Sequence, residues 1–229
     1  MLETKAILVT DVDGTIYPNY VISCLSKFNL EKLNEIDNFL SELQNYSFEE
    51  KIKKASEKFF NPPIEKNAYD EVIKYIVKNN EPSNKFKDIL NFFKPSQLIA
   101  FSGTPKEIVS ECIREHIENN YFIPTSCFGT QLKREIINNK EYITSEIIEL
   151  WTGEKRANYV NDLKKYKPNV HVIGVGNSEN DIPMLNECDI GFYFGKREDI
   201  ENHEKIIHVN GEPIEKFYKE IIGALGEVF

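Results

Sequence analysis

The sequence predicts an α/β fold, with a parallel sheet covered by helices on both faces and a helical insertion near its start. Three observations carry this. Apolar-rich runs at Ala6–Val9, Gln97–Phe101 and Val170–Val175 read as buried strands, because strands covered on both faces lose the alternation of polar and apolar residues. Helical patterns separate the later strands, and a repeat of strand, crossover helix and strand gives a parallel sheet with right-handed connections. The stretch from Val21 to Phe93, between the first strand and the second, carries helical periodicity and no clear strand.

Within that stretch Leu30, Leu33, Ile36, Phe39, Leu40 and Leu43 recur at helical spacing. A second helix is expected over Phe48–Phe60, ended by Asn61-Pro62-Pro63. Its Glu/Lys-rich run, Glu49–Lys58, reads as a solvated face with i,i+4 pairs, and the sharper alternative sets Lys51 or Lys54 over an anionic substrate. Ile64–Val77 gives another helix, with Tyr69, Val72, Ile73 and Ile76 on one side. Ser83 can cap a further one through Leu90 and Phe93.

After Gln97–Phe101, Pro105 suits the first turn of a helix whose apolar face is Ile108, Val109, Cys112, Ile113 and Ile117. Tyr121–Phe128 is expected to be an irregular or edge strand because of Pro124. Thr130–Ile136 and Tyr142–Ile147 read as paired strands turning at Asn138-Asn139-Lys140. A helix is expected from about Glu154, ending before Lys167-Pro168, then the strand Val170–Val175. A short helix with Ile182, Met184 and Leu185 follows, then strands at Ile190–Phe194 and Ile206–Val209, and a helix over Pro213–Leu225.

A chain of 229 residues, 41% hydrophobic, suffices for one large domain or a core with a smaller insertion. The formal net charge of -9 argues against a broad surface for nucleic acid or anionic membrane, leaving room only for a local basic pocket. No apolar run approaches the roughly 20 residues that span a bilayer, and the first strand begins with no signal-peptide pattern before it. Cys24, Cys112, Cys127 and Cys188 are scattered with no CxxC pair, so reduced thiols in a cytosolic protein are expected rather than a zinc site. His116, His171, His203 and His208 form no ligand cluster.

The residues able to do chemistry follow strands. Asp11 and Asp13 stand where the first strand runs out, in KAILVTDVDGTIY. Ser102 follows the second, and Asn177 with Asp181 follows Val170–Val175. Acid residues at the end of a buried strand are costly unless paired. Mg²⁺ would pair them, since hard cations take oxygen ligands, and open α/β sheets bind ligands at the carboxyl ends of their strands. An isolated DxDG also reads as a solvated Asx turn, Ser102 also as a helix cap, and Lys155 also as a surface helix residue. Trp151 is expected to be a packing anchor rather than a substrate contact. Tyr17 and Tyr20 lie near the expected mouth.

Taken together these motifs resemble the haloacid dehalogenase superfamily of phosphohydrolases. DVDGT at Asp11–Thr15 matches the first family motif, SGT at Ser102–Thr104 the second and Lys155 in TGEKR the third. GNSENDIPML from Gly176 matches the fourth except at Asn177. The helical segment between the first two motifs, and FGTQL, NNKEYIT and TGEKR before the lysine, resemble the branch that includes phosphoserine phosphatase.

The resemblance implies a Rossmann-like core, residues 1–18 and 95–229, with an inserted helical cap, residues 19–94. It implies a cytoplasmic phosphatase acting on a small phosphorylated metabolite through an aspartyl-phosphate, with Mg²⁺ as cofactor and neither nucleic acid nor membrane as partner. Asp11 would be the nucleophile and Asp13 the general acid and base. Ser102, Gly103 and Lys155 would hold the phosphoryl group, and Asp11, Asp13, Asn177 and Asp181 would surround the metal. Asn177, an amide where the family pattern has Asp, departs from it and bears on metal affinity. A phosphotransferase of the same fold and a non-catalytic phospholigand-binding module are the alternatives. Neither the substrate nor the oligomeric state is legible.

Overall fold

The computed structural model describes residues 6–18, 39, 42, 43 and 46–225. Most of the helical pattern expected over Leu30–Leu40, together with Tyr20 and Cys24, lies outside the described residues.

The described chain runs β1 (Ala6–Asp11), α1 (Phe48–Phe60), β2 (Ile64–Glu65), α2 (Lys66–Asn79), α3 (Asn84–Phe93), β3 (Gln97–Pro105) and α4 (Lys106–Ile113). A π-helical turn (Arg114–Glu118) extends α4. Then come β4 (Thr125–Ile137), β5 (Lys140–Glu149), α5 (Gly153–Tyr166), β6 (His171–Gly176), α6 (Ile182–Glu187), β7 (Ile190–Tyr193), β8 (Ile206–His208) and α7 (Tyr218–Leu225). These strands form one sheet in the order β2-β5-β4-β3-β1-β6-β7-β8. The pairs from β4 through β8 are parallel, and β4–β5 and β5–β2 are antiparallel.

β1 sits at the centre because it is apolar on both sides. Ala6 and Leu8 pack into one hydrophobic cluster with α3 and α4, while Ile7 and Val9 pack into the other with Val160 of α5 and Met184 of α6. Alternate residues of a strand point to opposite faces, so β1 divides the two helical layers. The chain leaves β1 for β3 on one side and later returns to β6 on the other, a topological switch point of the kind where open α/β sheets bind ligands. Asp11 pairs with Phe101 and Thr10 with Val175, so Ser102 and the residues after Gly176 reach the same edge as Asp11.

The hairpin is as expected in kind, but β4 is one long strand rather than two. Asn138 and Asn139 make its turn at φ 51° and 62°, left-handed values that match the strand twist of a two-residue hairpin and that Asn tolerates. Two expectations need correction. A short strand, β2, does lie in the insertion, and it pairs with β5. Its sequence, Ile64–Glu65, is too short to show a period. α3, expected within the cap, packs on the core instead, with Phe93 5.7 Å from Phe192 of β7. Its apolar face, Phe86, Ile89, Leu90 and Phe93, serves the sheet. Among the described residues no helix is long and apolar enough to cross a membrane.

Candidate active site

Asp11 closes β1 and is 7% exposed. Beyond it the chain wraps tightly, with the amides of Ile16 and Tyr17 donating to the Val12 carbonyl and that of Gly14 to the Tyr17 carbonyl at 2.7 Å. Gly14 takes φ +82°, and a Cβ there would meet the Asn177 side-chain amide at 2.0 Å. The turn therefore needs glycine twice over, for its backbone angle and for the close approach of Asn177. This wrap projects Asp13 toward β3, where Ser102 Oγ donates to its carboxylate at 2.6 Å and Thr104 Oγ1 at 3.0 Å. Ser102 Oγ in turn accepts the Thr104 amide at 2.9 Å.

The Arg156 side chain is fully buried beneath these loops. Its Nη1 donates to Asp181 Oδ1 at 2.5 Å and to Asp11 Oδ1 at 3.1 Å, and its Nε donates to the Trp151 carbonyl at 2.9 Å. Nη2 is buried and has no partner, as is Nδ2 of nearby Asn180, whose Oδ1 accepts the Gly153 amide at 2.9 Å. Buried donors ordinarily find acceptors, so two orphaned N–H groups beside one carboxylate cluster suit an anion. Asp181 Oδ2 accepts from the Asn177 amide, the Ser178 amide and Ser178 Oγ, which folds the loop after β6 around it.

The structure brings Asp11, Asp13, Ser102, Gly103, Asn177 and Asp181 to one edge of the sheet. It does not bring Lys155 there. The Lys155 ammonium donates to Glu149 at 2.5 Å and lies 4.3 Å above the Trp151 ring, with its side chain 41% exposed. Arg156, the next residue, is the cation that reaches Asp11 and Asp181. Helix geometry is the cause: α5 starts behind its Thr152 cap, and its buried residues Arg156 and Val160 share a face four residues apart, while Lys155 points aside. A count of that periodicity back from Val160 picks out Arg156.

Trp151 packs with Phe101, Phe128 and Tyr159 as the expected anchor. The Tyr17 side chain is wholly buried and bonds His116. Lys54 lies over Tyr46. Sequence reasoning missed Thr104, Asn180 and the roof: α1 opens with a Ser47–Glu50 capping box and sets Phe48 and Ile52 over Gly103. The Phe48 ring also lies 5.5 Å from the Arg156 guanidinium.

Burial pushes the Asp11 carboxyl well above its ordinary range. The neighbouring Asp181 charge adds to this, Arg156 opposes it and Asp13 adds again. Three carboxylates thus face one buried cation, an excess of negative charge that a hard divalent cation would offset. The donors that fit Mg²⁺ are the Asp11 carboxylate, the Asp13 carbonyl and the Asn177 amide. Asp181 is the least available, being engaged at both oxygens. Among the described residues no group of three or more His, Cys, Asp or Glu stands in metal-binding arrangement. The candidate set is a mixed one of carboxylate, amide and carbonyl oxygens, which suits Mg²⁺ better than a softer metal.

No family model and no curated protein matches this sequence. Solved structures do. A haloacid dehalogenase family hydrolase from Salmonella enterica serovar Typhi superposes with a TM-score of 0.70 at 17% identity, over 98% of this chain and 73% of that one. A substrate-bound phosphoserine phosphatase gives 0.68 at 16% identity, over 94% of this chain and 97% of that one. A phosphoserine phosphatase carrying an analogue of the phospho-aspartyl intermediate gives 0.67 at 16% identity, over 94% and 98%. The chain therefore has the fold of the haloacid dehalogenase-like hydrolases and resembles the phosphoserine phosphatases among them.

Proposed function

We propose that this protein is a Mg²⁺-dependent phosphomonoester hydrolase that acts on a small cytosolic metabolite through an aspartyl-phosphate. The observation that carries the reading is the pairing of buried Asp11, at the end of the central strand, with an Arg156 guanidinium whose Nη2 is unpartnered.

In this reading the phosphoryl group enters between Asp11 and the orphaned donors of Arg156 and Asn180, with Ser102 and the Gly103 backbone on its other side. An Asp11 oxygen attacks phosphorus and the bond to the leaving oxygen breaks. Asp13 gives that oxygen its proton, and the alcohol departs. A water then attacks the aspartyl-phosphate, Asp13 takes its proton, and the bond from Asp11 to phosphorus breaks to release inorganic phosphate. Ser102 and Thr104 orient the Asp13 carboxyl through both steps. Bound Mg²⁺, held by Asp11, the Asp13 carbonyl and Asn177, would supply charge compensation for the phosphoryl oxygens.

Phe48 and Ile52 would exclude water from above. The test is a panel of phosphorylated metabolites, assayed for phosphate release with and without Mg²⁺ and with added acceptor alcohols to register transfer. Release by the wild type and none by Asp11→Asn is expected. Equal release by both would overturn the reading.

A further inference from the structure

Tyr17 and His116 belong to no part of the chemistry above, yet they join three pieces of the molecule. The Tyr17 backbone closes the Asp13 loop: its carbonyl accepts the Gly14 amide at 2.7 Å, its amide donates to the Val12 carbonyl at 3.1 Å, and it bridges to Asp13. Its side chain is fully buried, and its hydroxyl meets His116 Nδ1 at 3.0 Å. The His116 ring lies beside Val77, on α2 of the insertion, both lining one cleft. A neutral imidazole carries one N–H. With it on Nε2, Nδ1 is left to accept the Tyr17 hydroxyl.

Two further features show that His116 is held in place. It lies within the π-helical turn Arg114–Glu118, a local widening of the helix that recurs at functional sites. The Asn120 side-chain amide donates to the Glu115 and His116 carbonyls at 3.1 and 3.0 Å, fixing the backbone of that turn. The loop is tied to the insertion's exit as well, since the Ser83 amide donates to the Ile16 carbonyl at 2.7 Å and Ser83 Oγ to the Thr15 carbonyl at 3.2 Å. Beside these ties a cleft of about 950 Å³ opens, lined by Val77, Asn80, Pro82 and Lys87 with His116.

We propose that Tyr17 and His116 are positioning residues that couple the seating of α2 to the orientation of Asp13. The proposal rests on the phosphatase reading, in which Asp13 protonates the leaving oxygen. With the latch made, the Asp13 loop is fixed against Ser102 and Thr104. With it broken, the loop loosens and proton delivery suffers first.

The full chain serves as the test, as wild type, Tyr17→Phe, His116→Ala and His116→Gln, the last retaining a donor and an acceptor. Each is assayed on p-nitrophenyl phosphate, whose leaving group needs little protonation, and on an alkyl phosphate, whose leaving group needs it. Misplacing a catalytic group by about 1 Å costs up to about 10²-fold. Tyr17→Phe and His116→Ala should therefore lose about tenfold or more in kcat on the alkyl phosphate, with little change on p-nitrophenyl phosphate and in KM, and His116→Gln should recover part of the loss. Amide hydrogen exchange over residues 14–17 should speed up in the two disabling variants, whatever the substrate.

Equal losses on both substrates, or none with unchanged exchange, would overturn the proposal while leaving the phosphatase reading intact. A wild type inactive on both substrates would overturn that reading and the catalytic role of the latch together.

Discussion

One nitrogen of Arg156, Nη1, donates to both Asp11 and Asp181, at 3.1 and 2.5 Å. Asp11 ends β1 and Asp181 lies in the loop after the neighbouring β6, and a helix that follows the hairpin supplies the cation between them. The bridge assembles the site and sets its electrostatics, since it is the only Lys or Arg contact made to either carboxylate among the described residues.

Removal of one partner from a buried ion pair leaves an uncompensated charge and costs about 3–5 kcal/mol. Arg156→Ala should therefore lower thermal stability sharply as well as eliminate turnover. Lys155→Ala should do neither, because an exposed pair such as Lys155–Glu149 contributes about 0–1 kcal/mol. Thermal melts and phosphate release of the two variants, taken together, check this contrast. Loss of activity in Lys155→Ala with full activity in Arg156→Ala would reverse the assignment.

Asp11 predicts a trade of function against stability. Its folded pKa is raised, so its neutral form is favoured in the folded state. Stability from this group is present below the unfolded carboxyl pKa and is lost as pH rises through the folded value. At neutral pH without metal, Asp11→Asn should therefore melt higher than the wild type while turning over nothing. Melting curves of the two proteins, from acid to neutral pH, should converge at the acid end.

Asn177 should set metal affinity. A carboxylate in its place adds a negative charge near the expected cation, and charge–charge attraction in a partly buried site exceeds charge–dipole attraction. Asn177→Asp is predicted to bind Mg²⁺ more tightly by isothermal titration calorimetry and to need less of it for half-maximal rate. Asp181→Asn should raise the requirement or eliminate activity, since Asp181 also holds Arg156 and the loop after β6. Unchanged Mg²⁺ binding in both variants would remove the ion from this loop.

Gly103 and Ile52 should be coupled. A Cβ at Gly103 would meet Ile52 Cδ1 at 2.4 Å and the Phe48 ring at 3.2 Å. Gly103→Ala should push the Ile52 side chain aside and slow turnover, and Ile52→Val, which removes the colliding methyl, should restore part of the rate in the double variant. Additive losses in that double-mutant cycle would contradict the packing of α1 on the phosphate loop.

Much of this was legible in the sequence because strands and their ends are local signals. The apolar run into Asp11, the β6 run into Gly176 and the Asn138-Asn139 turn each act through neighbours in the chain. Arg156 was missed for a narrower reason: the TGEKR motif draws attention to Lys155, and only the face shared with Val160 shows which side chain turns inward. The roof of Phe48 and Ile52 was not legible, because both read as ordinary apolar positions of an amphipathic helix and their partner, Gly103, lies in a distant loop. α3 looked like part of the insertion because a helix serving the sheet and a helix serving a cap carry the same period. The Tyr17–His116 pair spans 99 positions, and nothing local announces it.

Chemical trapping of the intermediate tests the proposed reaction most directly. The wild type, mixed with a substrate from the metabolite panel and quenched during turnover, is reduced with borohydride, which converts an aspartyl-phosphate to homoserine, and the peptide containing β1 is sequenced by mass spectrometry. Homoserine at position 11, absent without substrate and absent in Asp11→Asn, is the predicted result. Release of phosphate during turnover with position 11 recovered only as Asp and the modification found at another residue would contradict it.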